Sequence, residues 1–441
     1  MLARYLGNKS AIMVPLIEAI QQFAKPGDHV VDGFSGSLSV SMALKKNQFK
    51  VTANDINLFS SIFAEAYLIP NQPPAPTISN LLCSQRANEM LDKVSGQIDS
   101  LTGKDGFKFL ESEDWRSRYK YLVAIFAHLE TLEFTSLPHK YRHTHFFDTY
   151  CEQGKNSEFR SARGTVGRRR FFTPENATRI DIILNQLRLW HEIDAIDKVT
   201  YSVILAALTR SVEKISNTQG TFHDFIREGW DSRALTPFSF ELPEMDKVVC
   251  GVGGHSAGRE RDTLEFIGSI DEHQVLYLDP PYNFRQYSAY YFLPNVICRY
   301  PEINDTNEYF SQIKYVRGQN PNDYFTSTFC KASSFINDLR NVITNASCQT
   351  VIISYFDGAN HWSKFDSTAN ETGLAQLQAL LSESMFKQGS QQLLKIPRRN
   401  YASYGGYTAH DVTELLLVAE KCREYDCVSE SSPQRRLQLV A

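Results

Sequence analysis

His29-Val30-Val31-Asp32-Gly33-Phe34-Ser35-Gly36-Ser37 is the stretch on which the fold turns. Its apolar start reads as a short buried strand. The small residues that follow suit a tight turn whose backbone stands open to a ligand. Upstream, Ile12, Leu16, Ile17, Ile20 and Phe23 recur at helical spacing, and Pro26-Gly27-Asp28 ends that helix. Downstream, a helix over 40–46 leads to a second strand over 49–53, which closes at Asn54-Asp55. Strand, turn, helix and strand in this order open a doubly wound α/β domain.

The pattern breaks at Asn71-Gln72-Pro73-Pro74-Ala75-Pro76. From there to about residue 243 the chain reads as helical and polar, with its best helices over 119–131, 174–191 and 200–216. Thr173 caps the second of these, with Pro174 at its first position. Strand patterning resumes at Lys247-Val248-Val249-Cys250, then over 275–278, 350–355 and 414–418. Residues 251–258 are glycine-rich and read as a loop, without the setting of a phosphate loop. The expectation is one α/β domain formed by 1–70 and 245–420, split by a helical insert over 71–244 that is long enough to fold as a module. Residues 421–441 read as a flexible tail.

The 441 residues carry 46 basic and 50 acidic side chains, a net charge of −4. That balance argues against a nucleic-acid coat protein but leaves room for a local docking surface. Between Pro138 and Arg170, eight cations face three acids, a local charge of +5. The run at Arg168, Arg169 and Arg170 reads as phosphate-contacting in preference to a solvated loop. The eight cysteines are scattered, and His139, His143, His145 and Cys151 lack zinc-site spacing, so no metal is expected. Without a long apolar run or a secretory start, a reduced protein of a prokaryotic cytoplasm is expected, with no membrane partner.

Three motifs carry chemistry. Asp32 to Ser37 follows a strand, and Asp55 ends the next one, about twenty residues on. An acid at that spacing suits both hydroxyls of a ribose. A second glycine of a G-x-G phosphate turn is missing, so a nucleoside cofactor without phosphate, such as S-adenosyl-L-methionine, fits better than a dinucleotide. Third, Asp279-Pro280-Pro281-Tyr282 follows the apolar run over 274–278. An exocyclic amino nitrogen is a poor nucleophile because its lone pair is delocalised into the ring. Asp279 can accept a hydrogen bond from it, the prolines fix a turn with a free carbonyl for the second N–H, and Tyr282 offers a face for a flipped base. Arg285 and Tyr287 stand where they would meet the flipped nucleotide or its phosphate.

These motifs, with Arg4-Tyr5-Leu6-Gly7-Asn8-Lys9 ahead of them, resemble Dam-like DNA adenine methyltransferases, most closely the FokI-type subgroup. Asp279 to Ser288 resembles the longer catalytic signature. Arg170 to Ala177, Lys214 to Thr218, Ile353-Ser354-Tyr355 and the stretch from Arg398 to Glu414 resemble further parts. The resemblance implies a Rossmann-like class I methyltransferase sheet with helices on both faces and a target-recognition insert. It implies that Tyr5, Lys9, Asp32, Phe34, Ser35, Gly36, Asp55, Ile56, Asp262 and Asp279 touch S-adenosyl-L-methionine. It further implies base flipping in duplex DNA, and a cognate restriction endonuclease or defence-system subunits as partners. One departure is Leu38, where the family often has glycine; its side chain either crowds the cofactor or follows another path. D-P-P-Y serves cytosine N4 methylation equally well, and an RNA base methylase or a catalytically weak DNA-binding regulator are further readings.

Overall fold

The computed structural model describes residues 2, 4–161, 164–356, 361–362, 370–399 and 411–422. Tyr401, Tyr404 and Tyr407, read from sequence as an aromatic loop, lie outside the described residues, as do Arg163 and nearly all of the expected tail.

Nine strands occur among the described residues: β1 His29–Asp32, β2 Lys50–Ala53, β3 Glu158–Arg160, β4 Val166–Arg168, β5 Ser256–Ala257, β6 His273–Leu278, β7 Cys348–Phe356, β8 Gln392–Arg399 and β9 Asp411–Glu420. Seven form one sheet in the order β5-β2-β1-β6-β7-β9-β8. From β5 to β7 all neighbours are parallel; β9 runs antiparallel to β7, and β8 to β9. Buried on both faces, the parallel strands are apolar almost throughout, which is why their sequences read as continuous runs. Alternation then sorts their side chains into two cores. Val30, Val275 and Tyr277 pack to one face with the helix Met13–Gln21. Val31, Leu276 and Leu278 pack to the other with the helices Ala332–Asn345 and Asn370–Leu381.

The segment between β2 and β5 is helical as expected. Its long helices are Ser84–Leu101, Glu113–Thr131, Pro174–Glu192 and Lys198–Lys214. Thr173 caps Pro174–Glu192, its hydroxyl accepting from the Asn176 N–H at 3.3 Å. The pair β3–β4 is a separate two-stranded hairpin on this segment.

Two expectations need correcting. Lys247-Val248-Val249-Cys250 is not a strand. A 3₁₀ turn over Met245–Lys247 leads into it, and Val248 is buried in the first core. The edge strand is β5, two residues inside the glycine-rich stretch read as a loop. Among the described residues no helix is long and apolar enough to cross a membrane.

Candidate active site

The strand order reverses at β1, whose neighbours are β2 and β6. In an open parallel sheet the carboxyl ends at such a point leave a crevice. A cleft opens there. It is lined by Phe34, Asp55, Ile56, Asp262, Thr263 and Phe329, and by Asp279, Pro280, Pro281, Tyr282 and Tyr287. Tyr5, Leu6 and Gly7 close it from the chain's start.

The loop ends are tied together. Asn54 donates through Nδ2 to the Arg261 carbonyl at 3.1 Å and to Thr263 Oγ1 at 3.2 Å. Thr263 in turn donates to the Gly33 carbonyl at 2.7 Å. These bonds hold Asp262 at the rim, where it also caps the short helix Thr263–Phe266. Asp55 accepts from the Gly36 N–H and from the Asn57 N–H and Nδ2, each at 2.8 Å. Burial raises the Asp55 pKa, and those donors pull it back. Burial raises that of Asp262 as well.

Gly36 has φ +49°, and a Cβ there would stand 2.6 Å from the Tyr5 ring. Glycine is therefore required both by the backbone and by the ring lying over it. Tyr5 stacks on Tyr291 with centroids 4.6 Å apart. The strap that carries it is tied down on both sides. The Leu6 N–H donates to Tyr291 Oη at 2.7 Å, and the Arg4 N–H donates to Glu213 Oε1 at 2.9 Å.

Asp279 is 17 % exposed, and its Oδ1 lies 2.9 Å from the Lys9 ammonium. That contact is an ion pair without hydrogen-bond alignment. Burial pushes Asp279 up to about 6; Lys9 opposes the shift and Glu414 adds to it. Burial works against the charge on Lys9, but Asp279 and Glu414 outweigh it and hold the ammonium well above its ordinary range. Tyr282 stands edge-on to Tyr355 at 6.2 Å and tilted against Phe356 at 5.7 Å, so one side of its ring is fixed by packing.

The geometry thus brings Tyr5, Phe34, Asp55, Ile56, Asp262, Asp279, Pro280, Pro281, Tyr282 and Tyr287 to one cleft. It keeps Lys9, Asp32, Ser35 and Gly36 off the cleft wall. Asp32 is fully buried, accepts from Ser41 Oγ at 2.6 Å, and is pushed up to about 7 by burial. The Ser35 and Ser60 hydroxyls bond each other at 3.0 Å. Leu38 has φ +69°, the left-handed conformation that glycine takes most readily, and is fully buried in the first core. The loop follows a glycine's path, and the leucine side chain leaves the cleft free.

Arg169 is the plainest correction. It does not share a surface with Arg168 and Arg170: it is fully buried, donating to the carbonyls of Thr149, Asn156, Tyr315 and Val316. On β4 the neighbours alternate, so Arg168 points out while Arg169, just past the strand, turns in. Arg168 is paired with Glu158 at 2.6 Å, and Arg170 with Glu152 at 2.8 Å. Arg285 is exposed beside the cleft. Sequence reasoning passed over Phe329, Gln286, Ser288, Phe325 and Ser327 on the cleft wall and Glu414 behind it.

A doubly wound sheet with an acid at the end of its second strand and D-P-P-Y after its fourth in sheet order defines a nucleoside-cofactor enzyme of the methyltransferase class. The sequence pattern of the D12 class N6 adenine-specific DNA methyltransferases matches residues 5–314, and the chain belongs to that family. It is 24 % identical over 424 residues to Type II methyltransferase M.FokI of Planomicrobium okeanokoites, covering 95 % of this chain and 52 % of the relative. It is 26 % identical over 305 residues to Modification methylase LlaI of Lactococcus lactis subsp. lactis, covering 68 % and 39 %. Over 192 residues it is 31 % identical to Type II methyltransferase M.NlaIII of Neisseria lactamica, covering 44 % and 53 %. The chain thus spans about half, or less, of the length of these curated relatives. Family membership implies a methyl donor of the S-adenosylmethionine type and DNA as substrate.

Proposed function

We propose that this chain methylates adenine N6 in duplex DNA, drawing the methyl group from S-adenosyl-L-methionine, within a restriction–modification or phage-defence system. One observation carries this: Asp55, just after β2, and Asp279, just after β6, line the same cleft from strands on either side of β1. The donor set suits the cofactor. Among the described residues the wall holds Asp55, Asp262 and Asp279 and neither lysine nor arginine. That is wrong for a phosphate and right for a nucleoside bearing a sulfonium and an ammonium. Asp55 would hold the ribose hydroxyls, Asp262 the adenine amino group, and Phe34, Ile56 and Phe329 the ring faces. When bound, the cofactor supplies an electrophilic methyl group.

The chain's own residues prepare the acceptor. Ionised Asp279 accepts one N6–H, and a carbonyl of the proline turn accepts the other, which favours a more tetrahedral nitrogen with an available lone pair. Tyr282, backed by Phe356, stacks on the flipped base and offsets a few kcal/mol of unstacking. Burial keeps water from competing for the amino group. In this reading residues 1–70 and 245–420 would form the catalytic part and 71–244 would read the target. Exposed Arg160 and Arg168 on the β3–β4 hairpin, with Arg170 and Arg285, would grip the backbone, and a cognate restriction endonuclease is the expected partner. The test is Asp279→Ala, with modified bases sequenced in DNA from expressing cells. Methyl transfer should fall roughly a hundred- to a thousand-fold while DNA binding persists. Transfer within a few-fold of wild type, or N4-methylcytosine as the product, refutes the proposal.

A further inference from the structure

Glu414 lies on β9 opposite Phe356 of β7 and is fully buried. A carboxylate there is costly unless every lone pair is met. Its Oε1 accepts from the Lys9 ammonium and from Ser354 Oγ at 2.9 Å, and its Oε2 accepts from Arg398 Nε at 2.9 Å. Burial opposes its charge, but Lys9 and Arg398 outweigh that and hold it below the usual range. Two cations and two acids thus form a neutral, largely buried set, with Asp279 on the cleft wall and Lys9, Arg398 and Glu414 behind it.

The two cations lead to different parts of the cleft. Lys9 reaches Asp279 Oδ1, which is buried, so what remains exposed of that carboxylate is left for a ligand. Arg398 stacks its guanidinium 5.1 Å over the Phe356 ring, and Phe356 backs Tyr282. We infer that Glu414 is a positioning residue for methyl transfer: through Lys9 it fixes the acceptor at Asp279, and through Arg398 and Phe356 it fixes the stacking wall at Tyr282. This rests on the methyl-transfer reading above. A bridge serving stability alone has no need to end on both groups that handle the base.

The test reads the acid limb of single-turnover methyl transfer. The groups facing Asp279 are Lys9, Glu414 and Arg398, with Asp32, Asp55, Tyr5, Tyr277, Tyr282 and Tyr287 around them. Glu414 raises the Asp279 pKa, so Glu414→Gln should move the limb down by roughly one pH unit. Lys9 and Arg398 lower it, so Lys9→Met and Arg398→Met should move it up. At pH 8, Glu414→Gln and Arg398→Met should slow transfer on the order of ten-fold through misplacement. Binding of S-adenosylhomocysteine and of DNA should stay within two-fold of wild type. In duplex carrying 2-aminopurine at the target adenine, the emission of the flipped base should change with Arg398→Met. A purely structural role would lower stability and cofactor binding together and leave the limb in place; that result overturns the inference. If Glu414→Gln does not fold, Arg398→Met decides, and a wild-type limb and rate overturn it equally. A wild-type protein that methylates no DNA would bring down the functional reading as well. An active one with an unmoved limb in the variants brings down this inference alone.

Discussion

Leu38 shows how one residue can depart from a pattern without damaging the site. A non-glycine residue in left-handed backbone costs about 1 kcal/mol relative to glycine. Burying its side chain in the core returns more, since core leucine truncation costs roughly 2–5 kcal/mol. Leu38→Gly should therefore destabilise the protein by roughly 1–4 kcal/mol net in urea titration, with cofactor affinity unchanged. A large gain in affinity would show that the side chain crowds the cleft. Asp55 carries the opposite expectation. Asp55→Ala removes the acceptor proposed for the ribose and leaves the Gly36 N–H without its partner. Cofactor affinity should fall about ten- to a hundred-fold by calorimetry, with DNA affinity largely kept. The pH profile follows from Asp279. Burial raises its carboxyl to about 6, and in the proposed role it is the carboxylate that accepts the amino hydrogen best. Activity should be full above that value and fall about ten-fold per pH unit below it. A profile flat down to pH 5 would remove Asp279 from that role.

At the scale of elements, legibility followed hydrophobic pattern and failed where pattern was short. The parallel strands β1, β2, β6 and β7 were readable because burial on both faces leaves apolar runs. β5 was not, because two residues carry no period. β8 was missed because Pro397 and two terminal arginines hide an edge strand, where proline is tolerated. The motifs that line the cleft were readable because each follows a strand's carboxyl end. The Lys9–Glu414 pair joins residues 405 positions apart, and no local signal marks it. The hairpin arginines show the same limit. Three adjacent arginines look alike in sequence, yet the chain turns one inward. Arg168→Ala with Arg170→Ala should weaken all DNA sequences alike and reduce the salt slope by up to roughly 0.9 per contact. Their ion pairs with Glu158 and Glu152 are worth under about 1 kcal/mol, so exchanging them for phosphates is easy. Arg169→Ala should instead unfold the region, because buried carbonyls lose their donor at roughly 1–3 kcal/mol each. An Arg169→Ala protein of normal stability with a reduced salt slope would reverse this assignment.

For the whole molecule, the insert and the sheet are not separate bodies. The first core is continuous from Val30, Val51 and Val275 of the sheet to Leu122, Phe126, Ile183, Val203 and Leu208 of the insert. Polar ties cross the same boundary: the Arg4 N–H reaches Glu213, and Ser202 reaches Glu65. A segment that shares its apolar face with a sheet exposes that face when cut away. The division into catalytic part and insert is thus one of roles more than of folding units. The full chain should unfold in one cooperative thermal transition, followed alike by far-ultraviolet circular dichroism and tryptophan fluorescence. The isolated segment 71–244 should show helical signal without a sharp transition, and should aggregate through its uncovered face. Two resolved transitions in the full chain, with one reproduced by the isolated segment, would establish the insert as an independent module.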